Sequence, residues 1–264
     1  MFIHSYCTSV QTHQRMDQAH ADIWSAIQFC CRPLLPRFLA VVGGGGKTHL
    51  CRQAAQTVAA LGQRSCFGTS TKMLPEQGFT LVQDKTDLSQ VLACASFPFQ
   101  FGQLIQTSEG EKLTAVTSNC LAEIVRQTDV VFCEADGAKR KPIKACQMQE
   151  PVYPPQTDAV AVVVGLSCLG RSVESCCHRW QIAVEQLGVS KTAIMNPERL
   201  AQLIMGNWIK PRSKSAMPWT IPPQSAQRFV VLNQADTPQL REMARAVAAA
   251  LPAELPVLIT RLNG

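Results

Sequence analysis

Hydrophobic positions along this chain fall into two recurring patterns. Short apolar runs, of the kind that fill a strand buried on both faces, occur at residues 37–42, 64–69, 129–135, 159–165, 228–232 and 256–260. Between them lie longer stretches with helical spacing. Residues 22–31 carry apolar Ile23, Trp24, Ile27 and Phe29 before Pro33 and Pro36 stop the pattern. Residues 48–61 are closed by Gly62, and 197–206 open with Asn196 as N-cap and Pro197 in the first turn. Residues 113–127 and 237–251 also read as helices, whereas 80–106 fit neither pattern. Buried strands alternating with helices predict an α/β fold, a doubly wound, mostly parallel sheet flanked by helices. Residues 1–36 are expected to be an N-terminal extension with a lead-in helix, and 37–264 an α/β domain with a proline-rich loop at 211–224. Met16 is an alternative start, which would make the residues before it a non-packing extension.

The first apolar run opens into Gly43-Gly44-Gly45-Gly46-Lys47-Thr48, and a helix follows. A strand, a glycine loop and a helix in that order form the setting of a phosphate site. Glycines allow backbone N–H groups to approach phosphate oxygens closely, and the helix start adds its positive dipole end. Lys47 supplies a point charge for the outer phosphates, and Thr48 a hydroxyl for Mg²⁺. The loop is shorter than the common Walker pattern, since Val41 stands where that pattern has its first glycine. A short G-x-x-G-K-T loop resembles that of Mur-type ATP-dependent ligases. The fold is therefore expected to be P-loop NTPase-like, with ATP or GTP and Mg²⁺ as cofactors.

Such a loop needs an acid at the end of a nearby strand to hold the metal. The run at 129–135 ends in Glu134-Ala135-Asp136-Gly137, which places two carboxylates two residues apart on an extended segment. Lys47, Glu134 and Asp136 are the candidate catalytic groups, and Thr48, Glu134 and Asp136 the candidate metal ligands. Lys139, Arg140, Lys141 and Lys144 follow at once and suit a phosphate or an acidic substrate. Thr69-Ser70-Thr71-Lys72-Met73 either offers hydroxyls to a metal or phosphate, or forms a turn satisfying its own backbone. Arg179, after His178, either reaches a phosphate or lies on the surface. Asn233-Gln234-Ala235-Asp236 resembles the guanine-reading N-K-x-D of GTPases, with Gln234 in place of the lysine; helix capping by Asn233 or Asp236 fits equally well. A modest GTP preference is the expectation if Asn233 and Asp236 read the base.

Composition narrows the class. Hydrophobic residues make up 46% and charged residues 17%, an ordinary globular balance. The net charge of +6 comes without a long basic run or interleaved aromatics, so no nucleic-acid surface is expected. No stretch has the length of a membrane span. The 12 cysteines include no C-x-x-C pair, and many lie inside apolar runs, which points to reduced thiols and a cytoplasmic location. Cys176-Cys177-His178 is a weaker candidate for a soft metal.

Taken in order, GGGGKT at 43–48, TSTKM at 69–73, EADGAKRKPIKA at 134–145, VVVGLSCLGR at 162–171, HR at 178–179 and LNQAD at 232–236 resemble the YqeC family. The resemblance covers roughly residues 37–260, and EADGAKRKPIKA is its most specific part. Ser70 stands where the family more often has Thr, and Cys146-Gln147-Met148 replaces a Pro- and His-bearing segment, while Glu150-Pro151 remains. The resemblance implies an accessory role in maturing molybdenum hydroxylases, particularly selenium-dependent ones, with the client enzyme or its cofactor as partner. Two other functions fit the residues themselves. One is an ATP-dependent small-molecule ligase or kinase, the other a nucleotide-gated interaction module with negligible hydrolysis.

Overall fold

The computed structural model describes residues 2–8, 15–94, 97–210 and 218–262. The chain opens with β1 (Phe2–Thr8) and β2 (Arg15–Ala19). Helix α1 (Ile23–Cys30) begins where the Asp22 carboxylate accepts the Ser25 N–H. β3 (Phe38–Gly43) runs into the glycine loop, and α2 (Lys47–Ala60) leaves it. β4 (Ser65–Thr69) is followed by β5 (Lys72–Met73), β6 (Leu81–Val82), α3 (Leu88–Cys94), β7 (Phe99–Phe101), β8 (Gln103–Thr107) and β9 (Gly110–Thr114). Next come α4 (Ser118–Gln127), β10 (Val130–Glu134), β11 (Ile143–Lys144) and β12 (Ala159–Gly165). The chain ends through α5 (Val173–Cys176), β13 (Cys177–His178), α6 (Trp180–Leu187), α7 (Pro197–Ile204), β14 (Gln227–Asn233), α8 (Pro238–Ala250) and β15 (Val257–Arg261).

Ten strands form one sheet, in the order β2-β1-β15-β14-β12-β3-β10-β4-β7-β6. From β15 to β6 every pairing is parallel, while β1 joins β15 and β2 joins β1 antiparallel. This is the mostly parallel α/β sheet read from the apolar runs, and burial explains why those runs lack alternation. Val160, Val162 and Val164 of β12 pack with residues of α7 and α8, whereas Ala159, Ala161 and Val163 pack with α1 and α2. With both faces covered, every position of the strand must be apolar. Two smaller sheets, β5-β9-β8 and β11-β13, lie outside it.

Three expectations change. Residues 113–127 are not one helix: Leu113 and Thr114 belong to β9, and the helix starts only after Thr117, whose side chain accepts the Cys120 N–H. The β-branched Thr114, Val116 and Thr117 favour extended backbone there. Phe2–Thr8 is a strand paired with β15, with Ile3 buried, and not a non-packing extension. The described residues of the unassigned stretch 80–106 form short strands and a short helix, too brief for either period to emerge. Of the proline-rich loop, residues 211–217 lie outside the described residues, and Pro218–Thr220 forms a 3-10 turn.

The winding fixes where chemistry can gather. The chain lays β4, β6, β7 and β10 on one side of β3, then β12, β14 and β15 on the other. A crevice at the carboxyl edge is expected where such a sheet reverses direction. Register brings Thr69 of β4 and Val41 of β3 level with Glu134 of β10, Gly43 level with Val163, and Gly165 level with Asn233.

Candidate functional site

The glycine loop is built by close approach of backbones. A Cβ at Gly43 (φ +97°) would lie 2.1 Å from the Val163 carbonyl oxygen, and one at Gly45 (φ +74°) would lie 2.3 Å from the Gly165 nitrogen. Both the left-handed backbone and the contact with β12 therefore require glycine. Three loop N–H groups are engaged within the fold. Gly43 donates to both Asp136 oxygens at 3.0 Å, Gly44 to the Val163 carbonyl at 2.8 Å and Gly45 to the Lys141 carbonyl at 3.2 Å. These bonds set the shape of the loop. The donors that helix geometry leaves over are those of the first turn of α2, whose N-cap, Gly46, brings no side-chain cap.

Beneath that turn, Lys47, Glu134 and Asp136 converge. The Lys47 ammonium donates to the Gly43 carbonyl at 2.8 Å and lies 3.4 Å from Asp136 and 3.9 Å from Glu134. All three are buried. Burial works against the Lys47 charge, yet Asp136 and then Glu134 outweigh it and hold the ammonium above the ordinary lysine range. For Glu134 burial wins: its carboxyl is raised despite Lys47 and the Thr48 hydroxyl, which donates to it. Every candidate catalytic and metal residue is thus gathered at one point.

Asp136, fully buried, also faces Lys144 at 3.5 Å. Lys144 in turn donates to Glu150 at 2.6 Å, and Glu150 takes Arg179 through both guanidinium nitrogens, one at 3.0 Å. Arg179 and Lys144 outweigh the burial of Glu150 and lower its carboxyl to about 2. Glu150 is the member of this charge cluster that sequence reasoning passed over; the signal was the Glu-Pro step retained where its neighbours had changed. Lys144 corrects an expectation: being 0% exposed and tied to two acids, it faces inward, away from any surface ligand. Arg179 is not a loose surface group, since Glu150 holds it. Lys139 and Arg140 are exposed in a left-handed turn (φ 45° and 58°), and Lys141 donates to the Ser175 carbonyl.

The remaining motifs find structural partners. Thr69 and Ser70 donate to the Glu134 carbonyl, and Ser70 also to Val152, so this motif secures β4 to the acidic strand end. Asn233 donates to the Gly45 carbonyl at 2.9 Å and accepts from Thr260 and Leu262 at 3.1 Å. It ties the glycine loop to β15. The N-cap of α8 is Thr237, not Asn233 or Asp236, and Asp236 lies 3.5 Å from Arg261 at the surface. Among the described residues no three His, Cys, Asp or Glu side chains gather to hold a metal, at Cys176-Cys177-His178 or elsewhere.

A parallel α/β sheet whose central strand ends in a glycine loop over a buried lysine and two carboxylates is the class of protein this geometry defines. A family model described as YqeC protein matches residues 39–181, more than half of the chain, and that span runs from β3 through the glycine loop to Arg179. The chain belongs to the YqeC family. It is 28% identical over 173 residues to "Uncharacterized protein YqeC" of Escherichia coli (strain K12), an alignment covering 64% of this chain and 68% of that protein. No solved structure matches the chain.

Proposed function

We propose that the chain binds a purine nucleoside triphosphate with Mg²⁺ at the glycine loop between β3 and α2. The observation that carries this reading is the meeting of an uncapped helix start with Lys47 and the Thr48–Glu134 pair at the carboxyl edge of the sheet. An uncapped helix start attracts anions, and a lysine beside it adds a charge for phosphate. Mg²⁺ usually rests on one or two protein oxygens plus phosphates, a number that the Thr48 and Glu134 pair can supply. Thr48 and Glu134 would hold the ion, which would neutralise charge on the phosphates. Lys47 would leave Asp136 for the outer phosphates, and the exposed Lys139 and Arg140 would meet an acidic partner.

Calorimetric titration of ATP and GTP, with Mg²⁺ and with chelator, tests the metal site. Wild-type binding is expected to depend on Mg²⁺, and Glu134→Gln to lose that dependence while remaining folded. Equal wild-type binding in chelator would contradict it. We further propose that this binding serves the maturation of molybdenum hydroxylases, a role that extends the resemblance described above. Deleting the gene is then expected to lower the specific activity of such an enzyme more than its abundance. Unchanged specific activity, with molybdenum and selenium supplied, would overturn this role.

A further inference from the structure

Beneath the glycine loop, charges alternate in an unbroken chain: Lys47, Asp136, Lys144, Glu150, Arg179. The contacts run 3.4 Å from Lys47 to Asp136, 3.5 Å from Asp136 to Lys144 and 2.6 Å from Lys144 to Glu150, with Arg179 closing on Glu150. Asp136 and Lys144 are both 0% exposed, so water screens neither. The chain spans separate elements. Lys47 opens α2, Asp136 follows β10, Lys144 lies on β11, and Arg179 follows β13, the strand paired with β11.

From this geometry we infer that Asp136 is a positioning residue and not a metal ligand, and that Glu150 and Arg179 tune nucleotide affinity through it. The inference rests on the nucleotide reading of the glycine loop. Both Asp136 oxygens accept the Gly43 N–H, and Lys47 and Lys144 flank them; with Lys47 drawn to phosphate, Gly43 and Lys144 still occupy the carboxylate, which leaves Mg²⁺ to Glu134. A triphosphate must therefore take Lys47 away from Asp136. The cost of that step depends on how fully Lys144 compensates the carboxylate left behind, because an unpaired buried charge is strongly unfavourable. Lys144 is shared with Glu150, and Glu150 with Arg179. Weakening Glu150 returns Lys144 to Asp136 and frees Lys47. Removing Arg179 leaves Glu150 to hold Lys144 harder, and Lys47 stays with Asp136. Neither Glu150 nor Arg179 needs to touch the nucleotide.

The test is a titration of Mg-ATP and Mg-GTP into the full chain and its variants. Glu150→Gln is expected to tighten binding about fivefold and Arg179→Gln to weaken it by a similar factor, the scale of coupling within one charge network. A loss of packing alone would weaken both. A field acting through solvent would give the same signs, so each variant is repeated in an Asp136→Asn background, where the relay is cut. There both effects are expected to vanish, and Asp136→Asn itself is expected to keep the Mg²⁺ dependence. Shifts of the same sign, or shifts that persist beside Asn at 136, would overturn the relay. Loss of Mg²⁺ dependence in Asp136→Asn would overturn its positioning role. Wild-type protein that binds no nucleotide would instead overturn the reading on which the relay rests.

Discussion

Two strand-to-helix turns stand at the same edge of this sheet and are finished in opposite ways. After β14 the chain closes on itself: Asn233 bonds the glycine loop and β15, Thr237 caps α8 by accepting the Leu240 N–H, and Asp236 faces Arg261. After β3, α2 starts on Gly46 with no side-chain cap, while a buried lysine and two carboxylates gather below. A capped start satisfies one of its first-turn donors with its own side chain. An uncapped start leaves its first-turn donors without a side-chain acceptor, and that difference sets the β3 turn apart from its neighbour.

Substitutions can break or sharpen this contrast. The largest effect is expected at Gly45, where alanine would bring a Cβ within 2.3 Å of the Gly165 nitrogen in left-handed backbone. Gly45→Ala should cost about 3 kcal/mol of stability by denaturant unfolding, the sum of backbone strain and overpacking. Wild-type stability would mean that the loop is not held against β12. A smaller effect is expected at Asp236, which is 54% exposed and paired with Arg261. If this carboxylate reads guanine, wild type should prefer GTP by about tenfold, or roughly 1.4 kcal/mol, and Asp236→Ala should erase the preference in a competition titration. A preference that survives the substitution would leave the β14 turn purely structural.

Much of this was legible in the chain, for physical reasons. The main parallel strands announced themselves because both their faces are covered, so no polar residue interrupts Val160 to Val164. Gly43 to Thr48 and Glu134 to Asp136 were legible because a glycine run and a pair of carboxylates directly follow apolar strand-length runs. What escaped were features decided by distant partners. β1 depends on pairing with β15, which no local pattern reveals. Lys144 looked like one cation among four, and only the fold shows it buried between Asp136 and Glu150. Glu150 lies in a proline-broken connection beyond the acidic motif, where nothing local points it back at Lys144, and Asn233 lies far along the chain from the loop it secures.

The central claim is that the open turn after β3 receives a triphosphate through Lys47. Calorimetry of Mg-ATP and Mg-GTP against wild type and Lys47→Ala tests it most directly, with circular dichroism confirming that the variant is folded. The account predicts that the folded variant binds more weakly by about 2–3 kcal/mol, the scale of a lost charge-assisted contact. Equal affinity of wild type and folded Lys47→Ala for both nucleotides would contradict it.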